Sequence, residues 1–292
     1  MSSSTRDVDL DGYFRRVGYA GPREPSVALL GALVTAQLSA IPFENLDPVR
    51  GVPVADLGAD ALFAKLVHRR RGGFCFEQNG LLALVLRAAG FQVRALTGRV
   101  VWAHPAGLEA PAGALTHQAL AVRIPGRPGR YFVDVGFGGP TPTAPLEFVA
   151  DVVQHTPHGR YRIGRHDGGY HLATLIADTW RPLYTFADEP RPPIDLQVGS
   201  WYASTFPGSV MVNQLIAARI VDGARWNLSG ADLVVHRPGA PSHRERLDDA
   251  DAVLEVLREG FGIDLAGLDV RDRIAGLLRG AGGGALEGVR IE

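Results

Sequence analysis

The only cysteine of the chain, Cys75, lies in the segment RRRGGFCFEQNG. Gly72 and Gly73 precede it, and apolar residues at helical spacing follow it as far as Gly90. This pattern predicts a helix that begins at or near Cys75, where unpaired backbone N–H groups and the helix dipole stabilise a thiolate. The glycines would let the backbone turn sharply and approach a ligand closely. Cys75 is therefore a candidate nucleophile, and the alternative is a small buried hydrophobe, the commoner role of a lone cysteine.

A nucleophilic thiol needs a proton acceptor, and His117 is the best candidate among nine histidines. The others fall in loops, at turns or at a helix end, whereas His117 opens the alternating segment THQALAVRI. The next segment, YFVDVGFGG, places Asp134 in an apolar run, where a carboxylate is costly without a partner. Only the short loop PGRPGR separates the segments, which predicts antiparallel strands that bring His117 close to Asp134. The alternative for His117 is a buried core histidine whose hydrogen bonds are satisfied and which has no catalytic role.

Together the three residues predict a catalytic triad. An imidazole that donates to a buried carboxylate is held in one tautomer, which leaves its other nitrogen to take the thiol proton. The order Cys75, His117, Asp134 is that of papain-like cysteine enzymes. The local signatures of papain-like proteases and caspases are absent, as are Gly-x-Ser-x-Gly, the Walker motif and zinc-binding cysteine pairs. We predict no metal site.

The composition is that of a globular protein without a strong overall charge. The chain has 292 residues, of which 46% are hydrophobic and 21% charged, and its net charge is -1. We therefore expect no nucleic-acid partner and no membrane partner. The N-terminal MSSSTRDVDLDGYF lacks the apolar region of a secretory signal, and no run approaches the roughly 18 apolar residues of a membrane span. A single cysteine also suits a reducing compartment, so we expect a cytoplasmic protein.

The elements that must position these residues change type along the chain. The first third has helical spacing, as in EPSVALLGALVTAQLSA and GADALFAKLVHRR. Alternating segments follow, among them FQVRALTGRVVW and RYRIGRHDGGYHLATLI, a hairpin that turns at 167–169. The proline-dense DEPRPPIDLQVG indicates a linker near residue 190, before short strands and two closing helices. These patterns predict a helical domain, then a mostly β domain, then a small mixed one.

Four motifs in the same order resemble those of the arylamine N-acetyltransferase family. They are IPFENLD, RGGFCFEQNG around the cysteine, THQALAV at the histidine and VDVGFGG at the aspartate, while SWYASTFP and RWNLSG resemble stretches further on. The resemblance covers nearly the whole chain and is closest to actinobacterial members. It implies an α+β fold with a papain-like core: a helical bundle over 1–90 carrying the nucleophile, a β-barrel over 91–190 carrying the histidine and aspartate, and an α/β lid over 191–292.

The resemblance also implies a reaction. An enzyme of this family transfers acetyl from acetyl-CoA to an aromatic amine or hydrazine by a ping-pong route through an acetyl-cysteine, with Cys75, His117 and Asp134 in the triad positions. It implies acetyl-CoA as co-substrate, no permanently bound cofactor and small-molecule partners. Two other functions stay open: an amide synthase of the same superfamily, which joins an aromatic amine to a carrier-bound polyketide acyl chain, and a non-catalytic binding protein that keeps the fold.

Side chains around the acyl group would determine which molecules bind. Flat rings stack on aromatic side chains, so an acceptor slot would use Phe43, Val101 and Phe137, with Phe74 as a weaker candidate. The pantetheine arm of CoA would find room and hydrogen bonds at Thr116, Gly138 and Gly139. The alternative for each slot residue is plain core packing.

Overall fold

The first third of the chain is helical in the computed structural model, which describes residues 8–281. Its elements are α1 (Leu10–Val17), α2 (Val27–Ala40), the two-residue strand β1 (Phe43–Glu44), α3 (Leu46–Val49), α4 (Ala59–Leu62) and α5 (Cys75–Ala88). A π-helical segment, Phe63–His68, continues α4. Side chains of α1, α2 and α5 bury a common apolar core in which Leu30 and Leu81 are fully enclosed.

An antiparallel sheet follows and curls into a nearly closed barrel. Its strands are β2 (Gln92–Val100), β3 (His117–Arg123), β4 (Tyr131–Val133), β5 (Leu146–Glu147), β6 (Val153–Thr156), β7 (Gly159–His166), β8 (Gly169–Ile176) and β9 (Thr179–Phe186). They lie in the spatial order β5-β4-β3-β2-β9-β8-β7-β6. The order places β9 beside β2, and Gly98 of β2 pairs with both Phe186 of β9 and His117 of β3, so the end of β9 lies close to the candidate triad.

The alternation of β3 explains how the barrel packs against the helices. Leu120 and Val122 join the helical core, while Ala119 and Ala121 join the core inside the barrel. Successive side chains of a strand point to opposite faces, so one strand buries both of its faces in two different cores. The helix that begins at Cys75 is thereby packed directly against the strand that begins at His117.

The last part of the described chain is a second sheet with helices packed on it. Its elements are α6 (Pro193–Thr205), α7 (Val210–Asn213), β10 (Ile216–Val221), β11 (Ala224–Ser229), β12 (Asp232–His236), β13 (His243–Arg246), α8 (Ala250–Glu255) and α9 (Arg271–Ala281). The sheet order is β1-β10-β11-β12-β13, with Phe43 of β1 paired to Ala218 of β10. Phe43 also forms a parallel bridge with Gly73, so β1 ties this sheet to the segment just before Cys75.

The predicted α+β fold is confirmed, and two local predictions need correction. The hairpin turn is confirmed at Asp167 and Gly168, both of which have positive φ, as a two-residue turn requires. The linker near residue 190 is wrong in part, because α6 begins at Pro193, and proline is well suited to the first turn of a helix. Asp134 follows β4 instead of lying within it.

The three-part division at 1–90, 91–190 and 191–292 stays a proposal, and its outermost residues lie outside the described range 8–281. Helix α5 ends at Ala88 and β9 at Phe186, close to the proposed boundaries. Within the described residues, no helix combines the length and apolar character required to cross a membrane.

Candidate active site

The turn before Cys75 is held by close backbone packing. A Cβ on Gly72 would lie 2.1 Å from the carbonyl oxygen of Pro42, and one on Gly73 would lie 2.6 Å from Oε2 of Glu77. Neither glycine has a positive φ, so their role differs from the predicted one of a sharp turn or close approach to a ligand. They are required because the RGG segment packs directly against the segment around Pro42 and against α5.

Glu77 fixes the first turn of α5. Its Oε2 accepts a hydrogen bond from the backbone N of Phe74, the residue that caps the helix. Its Oε1 lies 2.6 Å from Nζ of Lys65, and the same Nζ lies 2.7 Å from Oδ2 of Asp47. The guanidinium of Arg71 pairs with Asp47 as well. A buried ionic cluster therefore supports the turn that presents Cys75.

Cys75 lies at the first position of α5, as predicted, and is buried. Its Sγ lies 3.4 Å from the carbonyl oxygen of Thr116. The next residue is His117, whose Nε2 lies 2.8 Å from Oδ2 of Asp134. Burial alone would lower the pKa of His117, but the charge and hydrogen bond of Asp134, together with the hydrogen bond and charge of Cys75, raise that pKa to about 10. Since Asp134 occupies Nε2, the ring presents Nδ1 to the thiol.

Asp134 is buried, but both oxygens of its carboxylate have hydrogen-bond partners. Oδ2 also accepts from the hydroxyl of Tyr184 at 2.7 Å, and Oδ1 accepts from Nδ2 of Asn79 at 2.9 Å and from the backbone N of Gly136 at 2.8 Å. Burial raises the pKa of this carboxyl, but the charge and hydrogen bond of His117, with the donors Tyr184 and Asn79, hold it below its usual value. The geometry therefore keeps Asp134 ionised and His117 in one orientation.

Two of these partners were not among the residues proposed from the sequence. Asn79 lies one turn after Cys75 on α5, inside the cysteine motif, and that spacing could have pointed to it. Tyr184 lies on β9, and no local pattern in TWRPLYTF distinguishes it. Its ring also lies 4.3 Å from the ring of His117, so it contacts both polar members of the candidate triad.

The proposed acceptor-slot residues differ in their surroundings. The Phe137 ring meets the His117 ring edge-on at 5.1 Å and is partly exposed. Phe43 belongs to the same apolar cluster as Cys75. Val101 is buried just past the end of β2 and is outside the apolar cluster that contains Cys75. Phe74 is buried in the cluster of Cys75 and Phe43, with its ring edge-on to that of Phe76.

The residues proposed to hold CoA lie at the edge of the site. Gly138 has a φ of +80°, which favours glycine, and a Cβ there would lie 3.6 Å from the Phe43 ring. Gly139 lies beside Asn227 of β11, whose amide oxygen would be 3.0 Å from a Cβ on Gly139. Thr116 carries the carbonyl that faces the thiol. Gly139 is held from the side of the second sheet by Arg225, which donates to its carbonyl oxygen.

Arg225 is a further residue that sequence reasoning missed. It is buried on β11 and donates to the carbonyl oxygens of Gly139 and Thr141, the second at 3.0 Å. Its Nη2 also lies 3.3 Å from the hydroxyl of Tyr161 in the barrel. The loop after Asp134 is thereby fixed to the second sheet, which sets the position of Gly138 and Gly139.

The arrangement can carry out acyl transfer. A thiol at a helix start, an imidazole beside it and a paired carboxylate form the parts of a cysteine nucleophile with its proton acceptor. Within residues 8–281 no group of three or more His, Cys, Asp or Glu side chains has a geometry that could hold a metal ion. The prediction of a site without a metal stays a prediction.

Comparisons with known proteins agree with this geometry. The family model described as N-acetyltransferase matches residues 26–270. An arylamine N-acetyltransferase of Mycolicibacterium smegmatis is 53% identical over 93% of this chain and 98% of its own length. One of Escherichia coli is 34% identical over 87% of this chain and 88% of its own. The solved structure of a Mycobacterium marinum arylamine N-acetyltransferase in complex with CoA superposes with a TM-score of 0.88 at 48% identity, covering 92% of this chain and 98% of that one.

Proposed function

We propose a mechanism for this chain from the premise that it belongs to the arylamine N-acetyltransferase family. Its function is the transfer of an acetyl group to an aromatic amine, and acetyl-CoA is the co-substrate that supplies the group. We assign the chemistry to Cys75 as nucleophile, His117 as proton acceptor and donor, and Asp134 as the group that orients His117. The observation that carries this assignment is the position of His117, between the thiol of Cys75 and the carboxylate of Asp134.

The first half-reaction loads the enzyme. The sulfur of Cys75 attacks the carbonyl carbon of acetyl-CoA, and the bond from that carbon to the CoA sulfur breaks. His117, which carries the proton of the Cys75 thiol, returns a proton to the departing CoA thiolate. One thioester replaces another, so the step is nearly balanced in energy. A serine in the same place would hold the acetyl group as a less reactive ester.

The second half-reaction transfers the acetyl group from Cys75 to the amine. The amine nitrogen attacks the carbonyl carbon of acetyl-Cys75, and the carbon–sulfur bond breaks to release the amide. The proton of the amine passes to His117, and the thiolate of Cys75 is restored beside the imidazolium. Asp134 stabilises that imidazolium and holds Nδ1 toward the sulfur. Each proton that leaves the thiol or the amine therefore has an acceptor already in place.

The acceptor slot is part of the proposal. The partly exposed ring of Phe137 adjoins His117, and Phe43 shares an apolar cluster with Cys75, so a flat amine between them would direct its nitrogen at the sulfur. Val101 stays a weaker candidate. Thr116, Gly138 and Gly139 are proposed to border the pantetheine arm.

Replacing Phe137 with leucine should raise KM for arylamines more than it lowers kcat, while the rate of Cys75 acetylation changes little.

The experiment that tests the assignment measures CoA release and amide formation with acetyl-CoA and an arylamine, for the wild type and for Cys75→Ala. The wild type should form amide, and the variant should form none above the uncatalysed rate. A donor series of acetyl-CoA, propionyl-CoA and malonyl-CoA would define the acyl preference. An enzyme that ignored every CoA donor would favour the amide synthase, and one that formed no amide at all would favour a binding protein.

Four further expectations from the sequence stay predictions. They are action on hydrazines, a role in xenobiotic metabolism, a cytoplasmic location and the absence of nucleic-acid and membrane partners. The nearly neutral overall charge supports the absence of nucleic-acid and membrane partners.

A further inference from the structure

A basic cavity lies at the end of the barrel opposite the candidate active site. Strands β2 and β3 pair from Gly98 and His117 at one end to Gln92 and Arg123 at the other. Six residue steps at about 3.3 Å each separate these two pairs by about 20 Å. A cavity of about 480 Å³ opens at the second end, in the size range of small-molecule sites. Four arginines are among the residues that line it, namely Arg87, Arg94, Arg123 and Arg130.

Three of these arginines share one face of the barrel, with Arg94 on β2, Arg123 at the end of β3 and Arg130 just before β4. Each is two residues from a side chain of the core inside the barrel, and side chains two residues apart point to the same face. The core residues concerned are Leu96 for Arg94, Ala121 for Arg123 and Phe132 for Arg130. The pairing of Val122 with Tyr131, continued by one residue, sets Arg123 opposite Arg130. Like charges directly opposite each other on adjacent strands are destabilising.

Within residues 8–281, acidic side chains neutralise the charge of these four arginines only in part. Asp188 accepts from Nη1 of Arg130 at 2.7 Å and also pairs with its Nη2. Arg87 donates to the carbonyl oxygen of Val93, a neutral acceptor. Four arginines and one carboxylate leave three positive charges, in a chain whose net charge is -1.

Arg94 and Arg123 contribute most to this excess. Both are exposed, and neither has an acidic partner at salt-bridge distance within residues 8–281. The adjacent Glu189 is paired with Arg191. The cavity therefore concentrates guanidinium groups that have open donors, and such groups bind phosphate oxygens in a bidentate manner.

We propose that this cavity is a binding site for a small anion with adjacent phosphate groups, either inorganic diphosphate or the diphosphate of a nucleotide. The site is independent of the acetyl-transfer site, since about 20 Å separates them. A concave site of this volume fits a small molecule better than an extended polymer. The near-neutral chain also lacks the broad positive field that attracts polyanions.

The test is calorimetric titration of the full chain with pyrophosphate and, separately, with ADP at fixed salt. The wild type should bind one equivalent saturably. Arg94→Ala/Arg123→Ala should bind about tenfold or more weakly, because charge-assisted hydrogen bonds are lost. The matched control is Arg160→Ala/Arg181→Ala, which removes two exposed arginines of β7 and β9 elsewhere on the barrel and should bind as the wild type does. Tighter binding of ADP would identify the nucleotide as source, and tighter binding of pyrophosphate the inorganic ion.

Several results would overturn the proposal. One is the absence of saturable binding by the wild type. Another is equal affinity in all three proteins, which would place the anion elsewhere, including the acetyl-CoA cleft. A third is binding of a DNA oligonucleotide alone, which would assign the arginines to a polymer. Acetyl transfer by the double variant should be unchanged and its Tm not lower, since repulsion is removed. If that variant unfolds early, Arg123→Gln serves in its place under the same criteria.

Discussion

The Nε2 atom of His117 lies 2.8 Å from Oδ2 of Asp134, and both side chains are buried. Because that nitrogen is occupied, the ring turns Nδ1 toward the thiol of Cys75. The hydroxyl of Tyr184 and the amide of Asn79 bind the same carboxylate, so Asp134 cannot rotate away without breaking several hydrogen bonds. A histidine fixed in this way is ready to exchange a proton with sulfur without first reorienting.

Replacing Asp134 with asparagine should lower kcat by about 10² to 10⁴, the range that a positioned proton-transfer group contributes. The amide keeps the shape but can favour the wrong tautomer of His117. Steady-state kinetics with acetyl-CoA and an arylamine measure the effect. Asp188→Asn is the matched control, since Asp188 pairs with Arg130 at the far end of the barrel and should leave kcat unchanged. An Asp134→Asn enzyme as active as the control would refute the orienting role.

The pKa of His117 makes stability depend on pH. Burial alone would lower the pKa of His117, but Asp134 and Cys75 raise it from 6.5 to about 10 in the folded protein. The contribution of His117 to folding stability is fully present below about pH 6.5 and is lost as pH rises toward about 10. The reason is that the unfolded chain releases the His117 proton at a lower pH than the folded protein does. The pKa of Asp134 is lowered, so its contribution is present above its ordinary value of 3.8 and is lost as pH falls through the folded value.

Urea denaturation across this range tests that linkage. The free energy of unfolding of the wild type should fall between about pH 6.5 and about pH 10, and that of His117→Gln should fall less. The variant lacks the proton that the folded wild type retains. Parallel curves for the two proteins would mean that His117 does not hold its proton in the folded state.

Lys65 is the only lysine of the chain and is the partner of Glu77 and Asp47 in the buried ionic cluster. Replacing it with methionine should lower the free energy of unfolding by about 3–5 kcal/mol, because breaking a buried pair leaves an uncompensated carboxylate. Arg23→Met is the control, since its ion pair with Asp11 is exposed and should be worth about 1 kcal/mol or less. Equal losses in the two variants would contradict the structural role of the cluster.

The glycines after Asp134 provide a second matched pair. A Cβ on Gly136 would lie 2.7 Å from the Cα of Cys75, and backbone cannot yield at that distance. Gly136→Ala should therefore destabilise by about 1–3 kcal/mol and lower kcat, because the loop and α5 must separate. A Cβ on Gly139 would meet only the side-chain amide of Asn227, with the oxygen at 3.0 Å and Cγ at 3.3 Å, and a side chain can shift where backbone cannot, so Gly139→Ala should keep the Tm within a few degrees. Thermal unfolding and kcat of both variants check the difference.

Local patterns were sufficient to predict the part of the site that is local in sequence. The helix beginning at Cys75 and the pair of strands joined by one short loop follow from spacing and turn chemistry, so the proximity of His117 to Asp134 could be predicted. Tyr184 could not be predicted, because it depends on β9 pairing with β2 from a distant part of the chain. Periodicity indicates which residues form a strand but not which strand lies beside it.

The same limit explains Arg225 and the two glycines before Cys75. Arg225 lies on β11 of the second sheet and bonds to Gly139, 86 residues earlier in the chain. The need for Gly72 arises from the carbonyl of Pro42, which is distant along the chain. The glycines were conspicuous in the sequence, but their physical reason depends on the fold.

The most direct test of the account is the intact mass of the chain after incubation with acetyl-CoA alone, followed by peptide mapping. The account predicts the added mass of one acetyl group, located on Cys75, and its complete loss when an arylamine is supplied. Cys75→Ala should gain no such mass. An acetylated peptide that does not contain Cys75, or a variant that still turns over at the rate of the wild type, would contradict the account.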